Sequence, residues 1–207
     1  MKRILTSLAA LLALAAAAHA QDNAAVMAKL RAKYQGINTI KTTVTETMCS
    51  AATGTCKRFS GTGEMKRPAK LRLDIDKPDK QTVVCDGKTL TLYVEKDKQA
   101  YTFDMGKSDQ ALTLLNPLDG LLSGEVVKLE DGGDAYTIAL AVPKFKDYFK
   151  SISLTVDKQT LLITGIAAED VSGNNAEYEF SDIKLNKPVK DSRFTLALPK
   201  GVKITKQ

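Results

Sequence analysis

Histidine is almost absent from this sequence, and tryptophan is wholly absent. The one histidine, His19, lies in an N-terminal segment that we expect to be removed before the protein folds. The chain after residue 20 therefore lacks the imidazole that Ser-His-Asp catalysis, Cys-His catalysis and histidine metal sites require. Glycine-rich phosphate loops of the G-x-G-x-x-G or G-x-x-x-x-G-K-[ST] kind are also missing. These absences exclude the commonest nucleophilic, zinc-dependent and nucleotide-dependent enzymes.

Carboxylate chemistry is the remaining route to catalysis, because glycosidases act with two acids. The sequence has 24 aspartates and glutamates, and no pattern singles out two of them. We therefore expect no enzyme, no metal and no cofactor. A carboxylate-based hydrolase stays open as the alternative from a different functional class.

A long apolar run occurs once, at the N-terminus, and it is too short to span a membrane. Lys2 and Arg3 precede apolar residues 4–18, and Ala18-His19-Ala20 has the small-x-small form of a cleavage site. We predict a signal peptide at residues 1–20 and a single domain at residues 21–207, exported to the periplasm of a Gram-negative cell. Gln21 follows the cleavage site where a lipid-attached protein would have cysteine, so we expect no lipid anchor on the chain.

Charge of one sign is not concentrated anywhere in the sequence. The formal net charge is +6, and Lys2 and Arg3 belong to the predicted signal peptide, which leaves a mild excess of scattered lysines. This distribution is typical of a solvated surface, and no basic motif interleaved with aromatic residues occurs. We expect no nucleic acid among the partners.

Apolar residues alternate with polar ones through most of the chain, which is typical of strands with one wet face. Leu71, Leu73 and Ile75 alternate with charged residues, and the same pattern recurs around Leu90, Tyr136 and Ile152. Turn residues separate these runs, so we predict an antiparallel meander. Tyr178 and Phe180 have one parity, whereas Ile183 and Leu185 have the other. A bulge near Ser181-Asp182 would explain the change and would help the sheet curl.

Helical spacing appears in two segments. Residues 24–34 carry Val26, Met27, Leu30 and Tyr34 at intervals typical of an amphipathic helix, and Gly36 follows as a stop signal. Residues 108–122 place leucines three or four apart behind Ser108, although Pro117 and Gly120 would divide that helix in two. Two helices lying on one curved sheet suggest a lid over its apolar face.

The three cysteines fall into a pair and a single residue. Cys49 and Cys56 flank six residues between two strand-like runs, and pairing across a hairpin would bring them within disulfide reach. A redox dithiol is the weaker alternative, because two residues would intervene rather than six. Cys85 ends a strand-like run, where a buried small hydrophobic residue is favoured over a reactive thiol.

Several short motifs, in order, resemble the outer-membrane lipoprotein carrier (LolA) family. They are Gly61 to Pro68 (GTGEMKRP), Lys70 to Ile75, Val83 to Leu90 with its D-G-K-T-L hairpin, and a closing Arg193-Phe194-Thr195-Leu196 with Pro199, Gly201 and Val202. The resemblance spans nearly all of the chain after residue 20. The sequence departs from the family in lacking tryptophan, in having Thr45-Glu46-Thr47 where Phe-x-Gln is frequent, and in carrying the cysteine pair.

The resemblance implies a mainly β fold with a helical lid. This fold is an incomplete antiparallel β-barrel of about 11 strands, whose apolar cavity short α-helices close over. It also implies a monomeric carrier of acylated lipoproteins, loaded by an inner-membrane lipoprotein-releasing transporter and unloaded by an outer-membrane acceptor. Arg67 matches the family's arginine before proline, which latches the lid through backbone carbonyls. A paralogue with another lipid cargo, or a lipid-sensing regulatory module, remains the alternative.

Strand parity and helical spacing together predict the wall of such a cavity. The sheet would contribute Met65, Leu71, Leu73, Ile75, Leu90, Leu92, Phe103, Ile152 and Leu154, and the lid would contribute Leu115, Leu118 and Leu122. Ordinary core packing between sheet and helices would use the same residues. The sequence leaves open whether the interior is filled or hollow.

Overall fold

A computed structural model of the protein describes residues 23–105 and 120–206. Within these ranges one α-helix, α1, covers residues 23–35 and ends at Gly36, as the helical spacing predicts. The strands that follow are β1 (Thr39–Cys49), β2 (Cys56–Lys66), β3 (Lys70–Lys77), β4 (Gln81–Cys85), β5 (Thr89–Val94), β6 (Gln99–Asp104), β7 (Glu125–Asp131), β8 (Ala135–Ala141), β9 (Phe149–Asp157), β10 (Ile163–Asp170), β11 (Asn175–Leu185) and β12 (Lys203–Lys206).

All twelve strands belong to one sheet in the order β12-β6-β5-β4-β3-β2-β1-β11-β10-β9-β8-β7. Neighbouring strands are antiparallel except for β12, which lies parallel to β6. In the described part of the chain β7 and β12 are the two edges, and no ladder joins them, so the sheet is curled but open. This confirms the predicted mainly β fold and incomplete barrel, with twelve strands where about eleven were expected.

The cross-strand register places the apolar residues of successive strands in one continuous row. Met65 lies opposite Leu71, Leu71 opposite Cys85, and Cys85 opposite Leu90. Leu90 in turn lies opposite Phe103. Because side chains alternate between the two faces of a strand, one face of the curled sheet is apolar and the other is charged. We call these the concave face and the convex face.

The predicted bulge lies in β11. The β1–β11 register steps from Lys41 opposite Lys184 to Thr43 opposite Ser181, so Asp182 and Ile183 together face Thr42. Asp182 adopts a positive φ of 51°, and the Thr42 hydroxyl donates to the Ser181 carbonyl over 2.8 Å. The extra residue turns both Phe180 and Ile183 towards the concave face and bends the sheet there.

Helix α1 covers one end of the concave face. Its buried side chains are Met27, Leu30 and Tyr34, and Ile37 continues the same apolar surface after the helix ends. The Tyr34 hydroxyl accepts a hydrogen bond of 2.8 Å from the Ile163 amide, which fixes the helix over β10. Burial raises the pKa of the Tyr34 phenol to about 12, although the Ile163 bond acts in the opposite direction. The phenol is therefore protonated under all physiological conditions.

The chain after β11 crosses the convex face and holds it with ion pairs. A short 3-10 turn, Asp191–Phe194, lies over β2 and β3, and its Phe194 is only 1% exposed. Arg193 bonds to Glu64 at 2.7 Å and to Asp74 at 3.0 Å. Lys66 bonds to Asp191 at 2.6 Å. This crossing carries the chain to the far edge of the sheet, where β12 joins β6.

The cysteines adopt the arrangement that the sequence favours. Cys49 and Cys56 form a disulfide at the last rung of the β1–β2 ladder, with their Cα atoms 4.0 Å apart. Cys85 is a free and fully buried thiol that packs in the apolar core. The redox-dithiol alternative for the pair has no support in this geometry, because the bond closes the tip of a hairpin.

Most of the predicted central helix, including Leu115 and Leu118, lies outside the described residues. At its end Leu121–Ser123 form a 3-10 turn, in which Leu121 and Leu122 are buried. Among the helical segments of the described ranges, none is both long and apolar enough to cross a membrane.

Candidate functional site

The concave face is the candidate site, because the predicted wall residues in the described ranges lie on it or pack against it. Six of them are buried, namely Met65, Leu71, Leu90, Leu122, Ile152 and Leu154. Leu73 and Phe103 are partly buried and pack against the same core. Ile75 and Leu92 are half-buried. The register that joins Ile152 and Leu154 to Ala168 and Ile166 shows how both halves of the sheet contribute to one surface.

One end of the concave face, beneath α1, is filled. Leu30, Ile138 and Leu154 have no exposed surface. The gap between Tyr34, Met65 and neighbouring side chains is about 10 Å³, which is room for roughly one water molecule. At this end the predicted wall residues are buried and leave little space between them, as in an ordinary core.

Among the residues that the structure describes, nothing fills the other end of the concave face. A cleft of about 630 Å³ lies between the β1–β2 hairpin and strands β9 to β11. This volume is in the range of small-molecule binding sites in proteins. Its apolar lining comes mainly from residues that were absent from the predicted wall, namely Met48, Phe59, Phe149, Ala168, Ala176 and Tyr178. Its polar rim includes Lys57, Asp170 and Asn174.

A signal for part of this lining was present in the sequence. Phe59 has the same parity on β2 as Met65, so counting back from Met65 by twos leads to it. Tyr178 has the same parity as Phe180, and this shared parity was part of the evidence for the predicted bulge. The position of Phe149 had no comparable signal, because it depends on where the β8–β9 connection ends.

One acidic side chain interrupts the apolar concave face. Glu46 on β1 has the same parity as Ile40 and Val44, and it lies opposite Phe59 on β2 and Tyr178 on β11. Burial raises the pKa of the Glu46 carboxyl above its ordinary value, while a hydrogen bond from Tyr178 works in the opposite direction. Burial also raises the pKa of the Tyr178 phenol, and the neighbouring Glu46 charge adds to the rise. Glu46 and Tyr178 therefore form a polar pair on an otherwise apolar surface.

Arg67, the predicted lid latch, binds the end of α1 within the described part of the chain. Its Nε donates to the carbonyl of Ile37 over 2.8 Å, and its Nη2 donates to the carbonyl of Tyr34 over 3.1 Å. The segment that it was expected to hold lies mainly outside the described residues. The latch on residues 108–122 therefore stays a prediction, and the observed bonds show Arg67 anchoring α1.

Arg31 binds the described end of the central segment. Its Nε donates to the carbonyl of Leu122 over 2.8 Å, and its Nη2 donates to that of Gly124 over 2.9 Å. These bonds join α1 to the 3-10 turn that ends the central segment. Sequence reasoning missed Arg31, because a charged residue on the exposed face of an amphipathic helix has no distinctive pattern.

The described lining of the candidate site is mainly apolar. Among the described residues, no group of three or more His, Cys, Asp or Glu side chains is arranged to hold a metal ion. What the site can do is remove apolar ligand surface from water, at about 25 cal/mol for each Å² buried.

The sequence matches the family model of the outer membrane lipoprotein carrier protein LolA over residues 35–197. A protein named outer-membrane lipoprotein carrier protein from Pseudomonas putida (strain GB-1) is 33% identical over 156 residues, which cover 72% of each chain. The protein of the same name from Pseudomonas aeruginosa (strain UCBPP-PA14) is 28% identical, with 100% of both chains covered.

The fold has a counterpart among solved structures. An uncharacterized conserved protein from Thermus thermophilus superposes with a TM-score of 0.56 at 12% identity, over 89% of this chain and 99% of that one. This likeness concerns the fold alone, whereas the family match concerns the sequence over most of its length. The chain therefore belongs to the LolA family of outer membrane lipoprotein carrier proteins.

Proposed function

We propose that this protein is a periplasmic carrier that shelters the acyl chains of lipoproteins on its concave face while they pass from the inner to the outer membrane. The observation that carries the proposal is the open apolar cleft of about 630 Å³ beside a filled core. Membership of the lipoprotein carrier family supports it. In this proposal residues 1–20 are a signal peptide, and residues 21–207 act as one monomeric domain.

The need for such a carrier follows from the hydrophobic effect. Exposed methylene groups cost about 0.8 kcal/mol each in water, so a multiply acylated protein needs a protected route between membranes. The cleft supplies methionine, alanine and aromatic surface, which accommodates chains of different length without directional contacts. Binding of this kind depends on buried area rather than on one chemical group.

Release of the cargo must be driven by its next partner. The sequence contains no phosphate-binding loop that could couple nucleotide hydrolysis to unloading. A ligand moves between two proteins in the direction of the tighter complex. We propose that an inner-membrane lipoprotein-releasing transporter loads the carrier and that an outer-membrane acceptor, with higher affinity, unloads it.

Two arginines would control access in this proposal. Arg31 holds the chain at Leu122 and Gly124, and Arg67 holds the end of α1. Hydrogen bonds from a charged donor contribute about 1.5 to 3 kcal/mol each. Bonds of this strength keep the segments together in the empty carrier and can break when acyl chains enter.

The test is native mass spectrometry of the protein purified from the periplasm of its own host. We expect adducts with the masses of acylated lipoproteins, and we expect Arg67→Leu to retain more of them. Arg58→Leu is the matched control, because Arg58 is an exposed arginine on β2, the strand that ends just before Arg67, and its described partner is Glu179 rather than α1. Consistently empty protein, in both wild type and Arg67→Leu, would contradict the carrier function.

A further inference from the structure

We propose that Glu46, between Phe59 and Tyr178, is a subsite for the protonated amine of an acylated ligand. This inference rests on the carrier function proposed above and adds a polar group that the ligand must have. The apolar cleft would bind the acyl chains, and the Glu46 carboxylate would bind the amine at the polar end of the same ligand.

The register fixes Glu46 in this position. On β1, Glu46 lies directly opposite Phe59 on β2 and directly opposite Tyr178 on β11. Directly opposite residues on antiparallel strands have Cβ atoms about 4.5 to 5.5 Å apart, so both rings flank the carboxylate. Tyr178 is held in place by Phe180, whose ring is nearly parallel to it at a centroid distance of 6.5 Å.

A carboxylate between aromatic rings is a suitable environment for an ammonium group. The faces of aromatic rings attract cations, and both the lysine ammonium group and quaternary ammonium ligands such as choline are bound in this way. The carboxylate supplies the opposite charge and an acceptor for N–H donors. An anion or a plain hydrocarbon would gain no binding energy from this combination of a carboxylate and aromatic rings.

The subsite is continuous with the cleft. Phe59 and Tyr178 line both the small hollow that contains Glu46 and the 630 Å³ cleft. An amine at Glu46 would therefore lie next to the acyl chains in the cleft. A ligand whose amine and acyl chains are only a few bonds apart could therefore occupy the subsite and the cleft at the same time.

The charges around Glu46 leave a place for a cation. No ion pair joins Glu46 to a lysine or arginine within residues 23–105 and 120–206, and the nearest basic residue on its face by register, Lys57, is exposed at the rim. Asp74 borders the same hollow, but its carboxylate lies on the convex face, where Arg72 holds it at 2.7 Å and Arg193 at 3.0 Å. Burial raises the pKa of Glu46, and a bound cation would offset the part of the desolvation cost that the hydrogen bond from Tyr178 does not.

Two kinds of acylated molecule carry such an amine. One is an aminophospholipid, whose headgroup is an ammonium. The other is a diacylated lipoprotein, whose N-terminal cysteine keeps a free α-amino group. A third acyl chain on that nitrogen would turn it into an amide and remove the positive charge.

The test compares paired probes that differ only at the nitrogen. One pair is a short peptide that begins with S-diacylglyceryl-cysteine, with a free or an N-acetylated α-amine. The other pair is phosphatidylethanolamine and its N-acetylated derivative. Affinity for the full-length mature protein is measured by displacement of a fluorescent fatty acid. In at least one pair we expect the free amine to bind about tenfold more tightly, which corresponds to one charge-assisted hydrogen bond.

Glu46→Gln should abolish this preference and leave the affinity for the N-acetylated probes unchanged. Glu179→Gln is the matched control, because Glu179 is an exposed acid on the convex face beside Tyr178, and it should retain the preference. The pair that shows the preference identifies the source of the amine.

The outcomes separate this inference from the carrier function. Equal affinity for free and capped amines in both pairs would overturn the amine subsite while leaving the carrier in place. An equal loss for both probes in Glu46→Gln would also overturn it, because Glu46 would then act only on structure. Failure of every acylated probe to displace the fatty acid from folded wild-type protein would overturn both proposals.

Discussion

The Nε atom of Arg31 lies 2.8 Å from the carbonyl oxygen of Leu122, and this bond links α1 to the chain that follows residues 106–119. A second bond from the same guanidinium reaches the carbonyl of Gly124 over 2.9 Å. Leu122 itself is 4% exposed and packs into the core. A single side chain thus holds together the two pieces of chain that cover the same end of the concave face.

Replacing Arg31 should loosen this connection. We expect Arg31→Ala to lower the free energy of unfolding by about 1 to 2 kcal/mol, since two bonds from a charged donor are lost at a partly exposed site. Amide exchange at Ser123 and Gly124 should accelerate. Urea unfolding and hydrogen exchange measure the two effects.

Lys33→Ala is the matched control for Arg31→Ala. Lys33 is exposed on the same helix, two residues further on, and its change removes a charge without touching Leu122. If Lys33→Ala reduced stability as much as Arg31→Ala, the bonds to Leu122 and Gly124 would not be the cause.

Glu46 should make the protein less stable at neutral pH than an uncharged residue would. Burial raises the pKa of its carboxyl in the folded state above the ordinary 4.5. A group with a raised folded-state pKa contributes stability below its ordinary value, and that contribution is lost as the pH rises through the folded-state pKa. We therefore expect Glu46→Gln to be more stable than wild type at about pH 7 and to lose this advantage near pH 4.

Urea unfolding of both proteins across this pH range measures the difference. Glu179→Gln, on the convex face, should show no such gain. A Glu46→Gln variant that is less stable than wild type at neutral pH would mean that the bond with Tyr178 outweighs the cost of burial.

The ion pairs of the convex face should have the opposite pH dependence. Partial burial pushes the pKa of Glu64 upward, but Lys41 and Arg193 outweigh it and hold the pKa below the ordinary 4.5. Burial likewise acts on Asp74, and Arg72 with Arg193 hold its pKa below the ordinary 3.8. Stability from these groups is present above the ordinary values and is lost as the pH falls through the folded-state values.

Arg193→Met should therefore cost most at neutral pH. Because Arg193 is 44% exposed, solvent screening limits the expected loss to about 1 kcal/mol. Thermal unfolding should show the gap to wild type closing below about pH 4 and shrinking in high salt. Arg58→Met removes a more exposed ion pair and should change little. A gap that persists at low pH would show that Arg193 acts by packing.

Local sequence pattern predicted most of this fold because most of its ladders join neighbouring strands. Alternation around Leu71, Leu90 and Ile152 was enough to place strands, and the change of parity after Phe180 was enough to place the bulge. The short β12 was missed, since Lys203–Lys206 has one apolar residue and pairs in parallel with a strand about a hundred positions earlier.

The candidate site was less predictable because it depends on long-range register. The subsite around Glu46 exists only because β1 pairs with β11, which brings Tyr178 beside a residue 132 positions earlier. The short-range alternation of apolar and polar residues does not predict which distant strand will pair with β1. The division into a filled end and an open end depends on where α1 lies, and Leu154 and Phe59 have equivalent patterns in the sequence although one is core and the other lines the cleft.

This division predicts that two substitutions on the same face have opposite effects. Ala176 borders the open cleft, and Ala176→Phe should narrow it, reduce the affinity for a fluorescent fatty acid about tenfold and leave the unfolding temperature nearly unchanged. Leu154 is fully buried in the filled end, and Leu154→Ala should lower the free energy of unfolding by about 2 to 5 kcal/mol because it leaves a cavity. Its effect on fatty-acid affinity should be small. If Leu154→Ala abolished binding in protein that remains folded while Ala176→Phe did not, the ligand would occupy the end beneath α1 rather than the cleft.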